Sequence, residues 1–261
     1  MRKRMKLMLA AGAALALAAA GIASAEQPTT VRAGNLLLTI DGAVTPKALP
    51  RSTPVPISLT AKGKIATADG SQPPALKEVI IDTDKAGSID ARGVPTCKAG
   101  QLEATTTDQA RKTCKAAIVG TGTTDVEVLF PESKPIPIHS QLTAFNGTGG
   151  GKGSATILVH AFLNNPISAA IVTTVKVSKK ASGPYGTHSV ALVPRIANGA
   201  GSVTAFSLTF PKKLFAFKGQ KHGYLLAKCS DGSFAARAEA KFLDGSKIGP
   251  GQIQRSCTPK G

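Results

Sequence analysis

The 261-residue chain carries 32 Lys and Arg against 15 Asp and Glu, a formal net charge of +17, with 42% hydrophobic residues and no Trp. That apolar share excludes a disordered chain, and the single long apolar run, at the start, excludes a multi-span membrane protein. The length suffices for one large domain or two small ones with a buried core.

Arg2, Lys3, Arg4 and Lys6 precede an apolar stretch over residues 7–22, and Ala23-Ser24-Ala25 forms a small-x-small cleavage site before Glu26. Residues 1–25 therefore read as a secretory signal peptide and residues 26–261 as the mature β-rich unit. No Cys lies near the cleavage site, which argues against a lipoprotein, and no apolar tail ends the chain. The expected location is secreted, extracellular or cell-envelope associated, with no transmembrane segment in the mature chain.

Strand signals then dominate. Val55, Ile57, Leu59 and Ala61 alternate with other residues and share one face, as do Val126, Val128 and Phe130. Phe206, Leu208 and Phe210 do the same within 204–210. The clearest run is 234–242, with Phe234, Ala236, Ala238, Ala240 and Phe242 inward and Arg237, Glu239 and Lys241 outward. Further strands are expected at 36–40, 78–82, 155–162, 170–177, 188–193 and 224–228. Asp-Gly-Ser recurs at Asp69, Asp231 and Asp244, a hairpin-turn signal. With 27 Gly and 17 Pro, this pattern predicts an all-β fold, an antiparallel β-sandwich or partly open barrel. One short helix is expected at Thr107–Thr113, capped by Thr107 or Asp108, between Cys97 and Cys114.

Export places the four cysteines in an oxidising compartment, where disulfides are expected before metal sites. Three pairings exist; Cys97 with Cys114 and Cys229 with Cys257 are the local ones. No C-x-x-C is present, which argues against zinc fingers and thioredoxin-like chemistry.

The charge is uneven. Residues 26–130 have a net charge of +1 and residues 131–261 a net charge of +12, and all eleven aromatic residues of the mature chain lie from Phe130 to Phe242. Residues 131–137 read as a connector, so a split into 26–130 and 138–261 is the alternative to a single unit.

Few motifs carry chemistry. Asp82, Asp84 and Asp90 fall at calcium-loop spacing, but Ala86 and Gly93 replace two ligands, so an acidic turn after a strand is the better reading. Gly149-Gly150-Gly151-Lys152-Gly153-Ser154 departs from a phosphate loop and reads as a hairpin loop. Asn146-Gly147-Thr148 matches a glycosylation sequon. His139, His160, His188 and His222 show no metal-ligand spacing, and His160, in line with Leu158 and Phe162, reads as a core or edge residue. No nucleophile elbow or pair of facing carboxylates is evident, so no enzyme, no catalytic residue, no metal and no cofactor is expected.

The basic half carries the one functional signal. Lys176, Lys179 and Lys180, Lys212 and Lys213, and Lys218 and Lys221 form clusters that would attract polyanions. Anionic cell-wall polymers or anionic lipid surfaces are the partners this implies; dedicated nucleic-acid binding is not expected, because stacking residues are sparse.

Leu49-Pro50-Arg51, Pro54-Val55, Asp69-Gly70-Ser71, Gly93-Val94-Pro95-Thr96-Cys97, the run from Cys114 through Val119-Gly120-Thr121-Gly122, Phe145-Asn146-Gly147 and Tyr224-Leu225-Leu226-Ala227-Lys228-Cys229 carry a resemblance. Over most of the mature chain they resemble a family of exported, β-rich actinobacterial proteins with no assigned activity. The resemblance implies an extracellular bacterial setting and argues against glycosylation of Asn146; it implies no ligand or catalytic residue.

Three functions follow as expectations. The first is a non-enzymatic exported protein held electrostatically at the cell envelope by its basic half. The second is a small-molecule or lipid-binding protein with an apolar cavity lined by strand faces. The third is a hydrolase with an unrecognised site. A filled core, an apolar pocket, or a cleft with converging His and acid side chains would separate them.

Overall fold

A computed structural model describes residues 26–179 and 183–261. The expected signal peptide and Lys180 lie outside the described residues. The early strands are β1 (Thr29–Ala33), β2 (Leu36–Thr45), β3 (Ala48–Pro50), β4 (Val55–Pro56), β5 (Ser58–Thr67), β6 (Leu76–Asp84) and β7 (Gly87–Ile89). Helix α1 (Thr107–Thr113) follows, and then β8 (Ile118–Val128), β9 (Ile136–Asn146), β10 (Ala155–Leu163), β11 (Ala169–Lys179) and β12 (Tyr185–Leu192). The last group is β13 (Gly201–Phe210), β14 (Leu214–Phe217), β15 (Gln220–Gly223), β16 (Leu225–Ala227), β17 (Ser233–Phe242), β18 (Lys247–Ser256) and β19 (Thr258–Lys260).

Twelve strands form one antiparallel sheet in the order β1-β2-β5-β13-β8-β9-β10-β11-β12-β6-β17-β18. Its two edges meet, so the sheet curls into a nearly closed barrel. Strand alternation explains why: one face of each strand is apolar and must be covered, and curling the sheet on itself covers all of them at once. No backbone ladder joins β18 to β1 or β2 among the described residues. Side chains close that seam instead. Arg255 of β18 donates from Nε to the Gly42 carbonyl at 2.8 Å, and from Nη2 to Asp41 at 2.7 Å and the Gln27 carbonyl at 3.3 Å.

Strands from both parts of the sequence interleave: β6 lies between β12 and β17, and β13 between β5 and β8. Residues 131–135 form the turn joining the adjacent strands β8 and β9, and Phe130 falls beyond the end of β8 rather than in line with Val126 and Val128. The expected run from Val55 to Ala61 is likewise broken, with β4 leaving the barrel and β5 entering it.

The chain crosses one end of the barrel repeatedly. There β7, β16 and β4 make a small sheet, β14 and β15 a hairpin, and β3 and β19 a parallel pair. Ile89, Val94, Phe210, Phe215 and Tyr224 pack beneath this cap. Disulfides join Cys97 to Cys114 and Cys229 to Cys257, and no cysteine is free among the described residues. Helix α1 covers Phe145 and Leu158 on the outer wall of β9 and β10. Its cap is Thr106, one residue before the expected position: the Gln109 amide donates to Thr106 Oγ1 at 3.4 Å and the Thr106 amide to Gln109 Oε1 at 2.9 Å. This is a reciprocal capping box.

The other end is closed more lightly, by the β5–β6 and β12–β13 connections. Gln72 ties the two together, donating from Nε2 to the carbonyls of Glu127 at 2.8 Å and Ala200 at 3.1 Å.

Candidate interior binding site

The inward faces of the barrel strands enclose a cavity of about 380 Å³. A barrel of many strands is wider than two facing side chains can bridge, so small or branched lining residues leave space at the axis. Here the lining is of that kind: Val159 and Ala161 from β10, Val175 from β11, Ala191 from β12, Ile81 from β6 and Ala236 from β17. Phe206 and Leu208 line it from β13. The Phe206 ring lies across Gly63 of β5, where a Cβ atom would come within 2.4 Å of it.

Val159, Val175, Leu208, Val79, Ile81 and Ile253 point inward yet are only partly buried. They pack against the buried core residues and also line the cavity. Hydroxyls from Thr124, Thr173, Thr187 and Ser189 interrupt the apolar wall. Thr83 and Thr187 hydrogen-bond each other, and Thr124 donates to the Ala205 carbonyl at 2.8 Å. Two of the charged residues at its margin are held by partners: Arg255 by Asp41 at the seam, and Arg237 by Asp82 at 2.7 Å on the outer face.

That outer face carries a cluster of titratable groups that sequence spacing did not disclose. Asp82, His188 and Arg237 are brought side by side by neighbouring strands β6, β12 and β17. His188 Nδ1 lies 2.7 Å from Asp82 Oδ1, and Arg237 Nε donates to Asp82 Oδ2 at 2.8 Å. Ser178, across the ladder from His188, donates to the His188 carbonyl at 3.4 Å rather than to the ring. The signal for this cluster was cross-strand register, which a single sequence does not display.

The calcium-loop spacing places its acids apart. Asp82 faces the outer wall, Asp84 accepts from the Ala86 amide at 2.8 Å, and Asp90 pairs with Arg92 at 2.6 Å. Burial alone would raise the Asp90 carboxyl, but its bonds from Arg92 outweigh burial and hold it below the usual range. Among the described residues no group of three His, Cys, Asp or Glu could hold a metal ion. The glycine-rich stretch is a turn, closed by the Gly151 amide on the Ser154 carbonyl at 2.9 Å.

Asn146 is buried under the cap. Its Nδ2 donates to the carbonyls of Val94 and Pro95, both at 3.3 Å, and its Oδ1 accepts from the Tyr224 hydroxyl at 3.3 Å. Burial pushes the Tyr224 hydroxyl above its ordinary pKa. A glycan on Asn146 is incompatible with this packing. His160 is fully buried beneath the loop before α1; its Nε2 meets the Thr105 carbonyl at 3.0 Å, while Nδ1 has no partner among the described residues. His139 pairs with Asp125 at 2.6 Å, and His222 Nε2 donates to the Arg92 carbonyl at 2.7 Å.

Of the seven lysines singled out in sequence, five stand at the capped end. Lys179 ends β11, with its stem over Gly153; Lys212 and Lys213 follow β13; Lys218 and Lys221 belong to the β14–β15 hairpin. Lys213 donates to the Ile118 carbonyl at 2.8 Å and lies 5.3 Å from the Phe215 ring centre. Lys176 is on the outer wall of β11, paired with Val190 and Thr156. No helix among the described residues is long and apolar enough to cross a membrane. No family model, curated protein or solved structure matches the chain.

Proposed function

We propose that this chain is an exported, non-enzymatic binding protein whose barrel holds an apolar small molecule or the tail of a lipid. The observation that carries this reading is the apolar cavity of about 380 Å³, a volume typical of small-molecule sites. Left empty, an apolar cavity denies its lining side chains the contacts they would otherwise make, which is unfavourable. Apolar occupancy removes that cost, and water does not, because an aliphatic wall gives it too few partners. The hydroxyls among the lining residues suit a ligand with one weakly polar part.

Export rests on the signal-like residues 1–25, and two disulfides are consistent with an oxidising compartment. The actinobacterial resemblance supports the same setting. Binding rather than catalysis is favoured because the interior presents aliphatic, alanine and hydroxyl side chains rather than facing carboxylates or an acid–histidine pair.

The test is native mass spectrometry of protein collected from the medium of its host, before and after organic-solvent extraction. A stoichiometric adduct that partitions into the solvent is expected. Adduct-free protein that also fails to take up N-phenyl-1-naphthylamine would contradict the reading.

A further inference from the structure

We propose that the capped end of the barrel is a docking surface for a solvated anionic polymer, a chain bearing repeated phosphate or carboxylate groups. This goes beyond the cavity reading and does not depend on it. Lys179, Lys212, Lys213, Lys218 and Lys221 reach this end from three separate stretches of chain. The register puts them there: Lys179 pairs with Thr187 at the close of the β11–β12 ladder, and Phe210, just before Lys212, pairs with Leu59 at the start of β5. None of the five is in an ion pair among the described residues.

The acids at the same end are already bonded. Asp90 is held by Arg92, Asp84 accepts from the amides of Ala86 and Ala235, Asp231 accepts from the Ser233 amide, and Glu26 bonds to Lys47 and the Ser256 amide. Five lysines without a carboxylate partner among the described residues thus gather at one end of the molecule, although in sequence the positive charge was spread along half the chain.

The placement of apolar side chains selects the partner. A surface that enters a bilayer combines cations with exposed large apolar residues. Leu129, Phe130, Ile136, Leu192 and Leu243 are exposed, but all five stand at the opposite end, and Leu214 alone is at the capped end among the described residues. A surface of cations without such residues suits a hydrated polyanion, bound by charge and by release of its counterions.

The experiment measures binding of the mature protein to sodium polyphosphate and to poly-L-glutamate by titration calorimetry, between about 50 and about 200 mM salt. Phosphatidylglycerol vesicles form the bilayer arm. Two variants carry the same net charge: Lys212→Gln/Lys218→Gln/Lys221→Gln at the capped end and Lys77→Gln/Lys134→Gln/Lys247→Gln at the other. The capped-end variant is expected to lose roughly tenfold in affinity for at least one polymer and to show a shallower salt dependence, with the opposite-end variant within about twofold of the parent. Equal losses in both variants would reduce the effect to net charge and overturn the proposal. So would the absence of polymer binding, or binding to the vesicles alone. Uptake of N-phenyl-1-naphthylamine by the same samples reports the cavity separately, so either reading can fail without the other.

Discussion

Asn146 shows how one side chain can hold a cap on a barrel. Its amide spends both functional ends on buried partners, the Val94 and Pro95 carbonyls and the Tyr224 hydroxyl. Asn146→Ala leaves those groups unsatisfied in a dry place and should cost about 2 kcal/mol, against about 1 kcal/mol for Tyr224→Phe. Urea unfolding measures both, and a loss near zero for Asn146→Ala would mean that water replaces the amide. His160 makes a different residue-scale prediction. Burial, opposed by the Thr105 carbonyl, holds its pKa below the ordinary 6.5. The unfolded chain therefore takes up a proton at His160 before the folded chain does, so this residue contributes a stability loss as pH falls from about 6.5 downward. The unfolding midpoint of the parent should drop more between about pH 7.5 and 5.5 than that of His160→Phe. An identical drop in the two proteins would show that the imidazole is not the group responsible. The alternating pattern placed His160 beside Leu158 and Phe162, but its cover comes from a loop 55 residues earlier, and local periodicity does not report such a partner.

Among the elements, the helix and both disulfides were legible because their determinants are local. Thr107–Thr113 has a polar cap and a good helical composition, and the bridges join cysteines 17 and 28 residues apart. Each bridge should contribute about 3 kcal/mol, so Cys229→Ala/Cys257→Ala should lower stability by that amount, and thiol labelling of the denatured, unreduced parent should add no mass. Strands such as β17 and β10 were legible from strict alternation. Strand β9 was not, because Ile136-Pro137-Ile138 reads as part of a proline-rich connector, and neither was β18, whose Gly249, Pro250 and Gly251 dilute its pattern. The β18 seam depends on Arg255, which is nearly buried between Asp41 and backbone carbonyls. Arg255→Met should cost about 3 kcal/mol by leaving the Asp41 carboxylate short of its partner, and Asp41→Asn in the same chain should recover part of that loss. A loss below 1 kcal/mol by the same urea assay would show that the seam is held by its apolar contacts, such as Ile40 against Gly251.

For the whole molecule, composition and turn chemistry predicted an antiparallel all-β fold but left sandwich and barrel open. The difference lies in long-range pairing: β6 joins β12 and β17, and β13 joins β5 and β8, and no local pattern encodes those choices. The cavity follows from closure and was invisible for the same reason, since Ala236 and Val159 have the same alternation whether they meet a facing sheet or open space. Charge shows a parallel shift. The sequence divides it between halves, whereas the fold gathers Lys179, Lys212, Lys213, Lys218 and Lys221 at one end and exposed apolar residues at the other. The central claim is that the barrel interior is a binding site, and filling it tests that claim most directly. N-phenyl-1-naphthylamine is titrated by fluorescence into the parent and into Ala236→Phe/Val159→Phe, with thermal unfolding recorded for both. The account predicts saturable, one-to-one binding to the parent and at least about a tenfold loss in the filled variant, with its melting temperature kept or raised. Binding that is unchanged by filling, or no saturable binding to either protein, would contradict it.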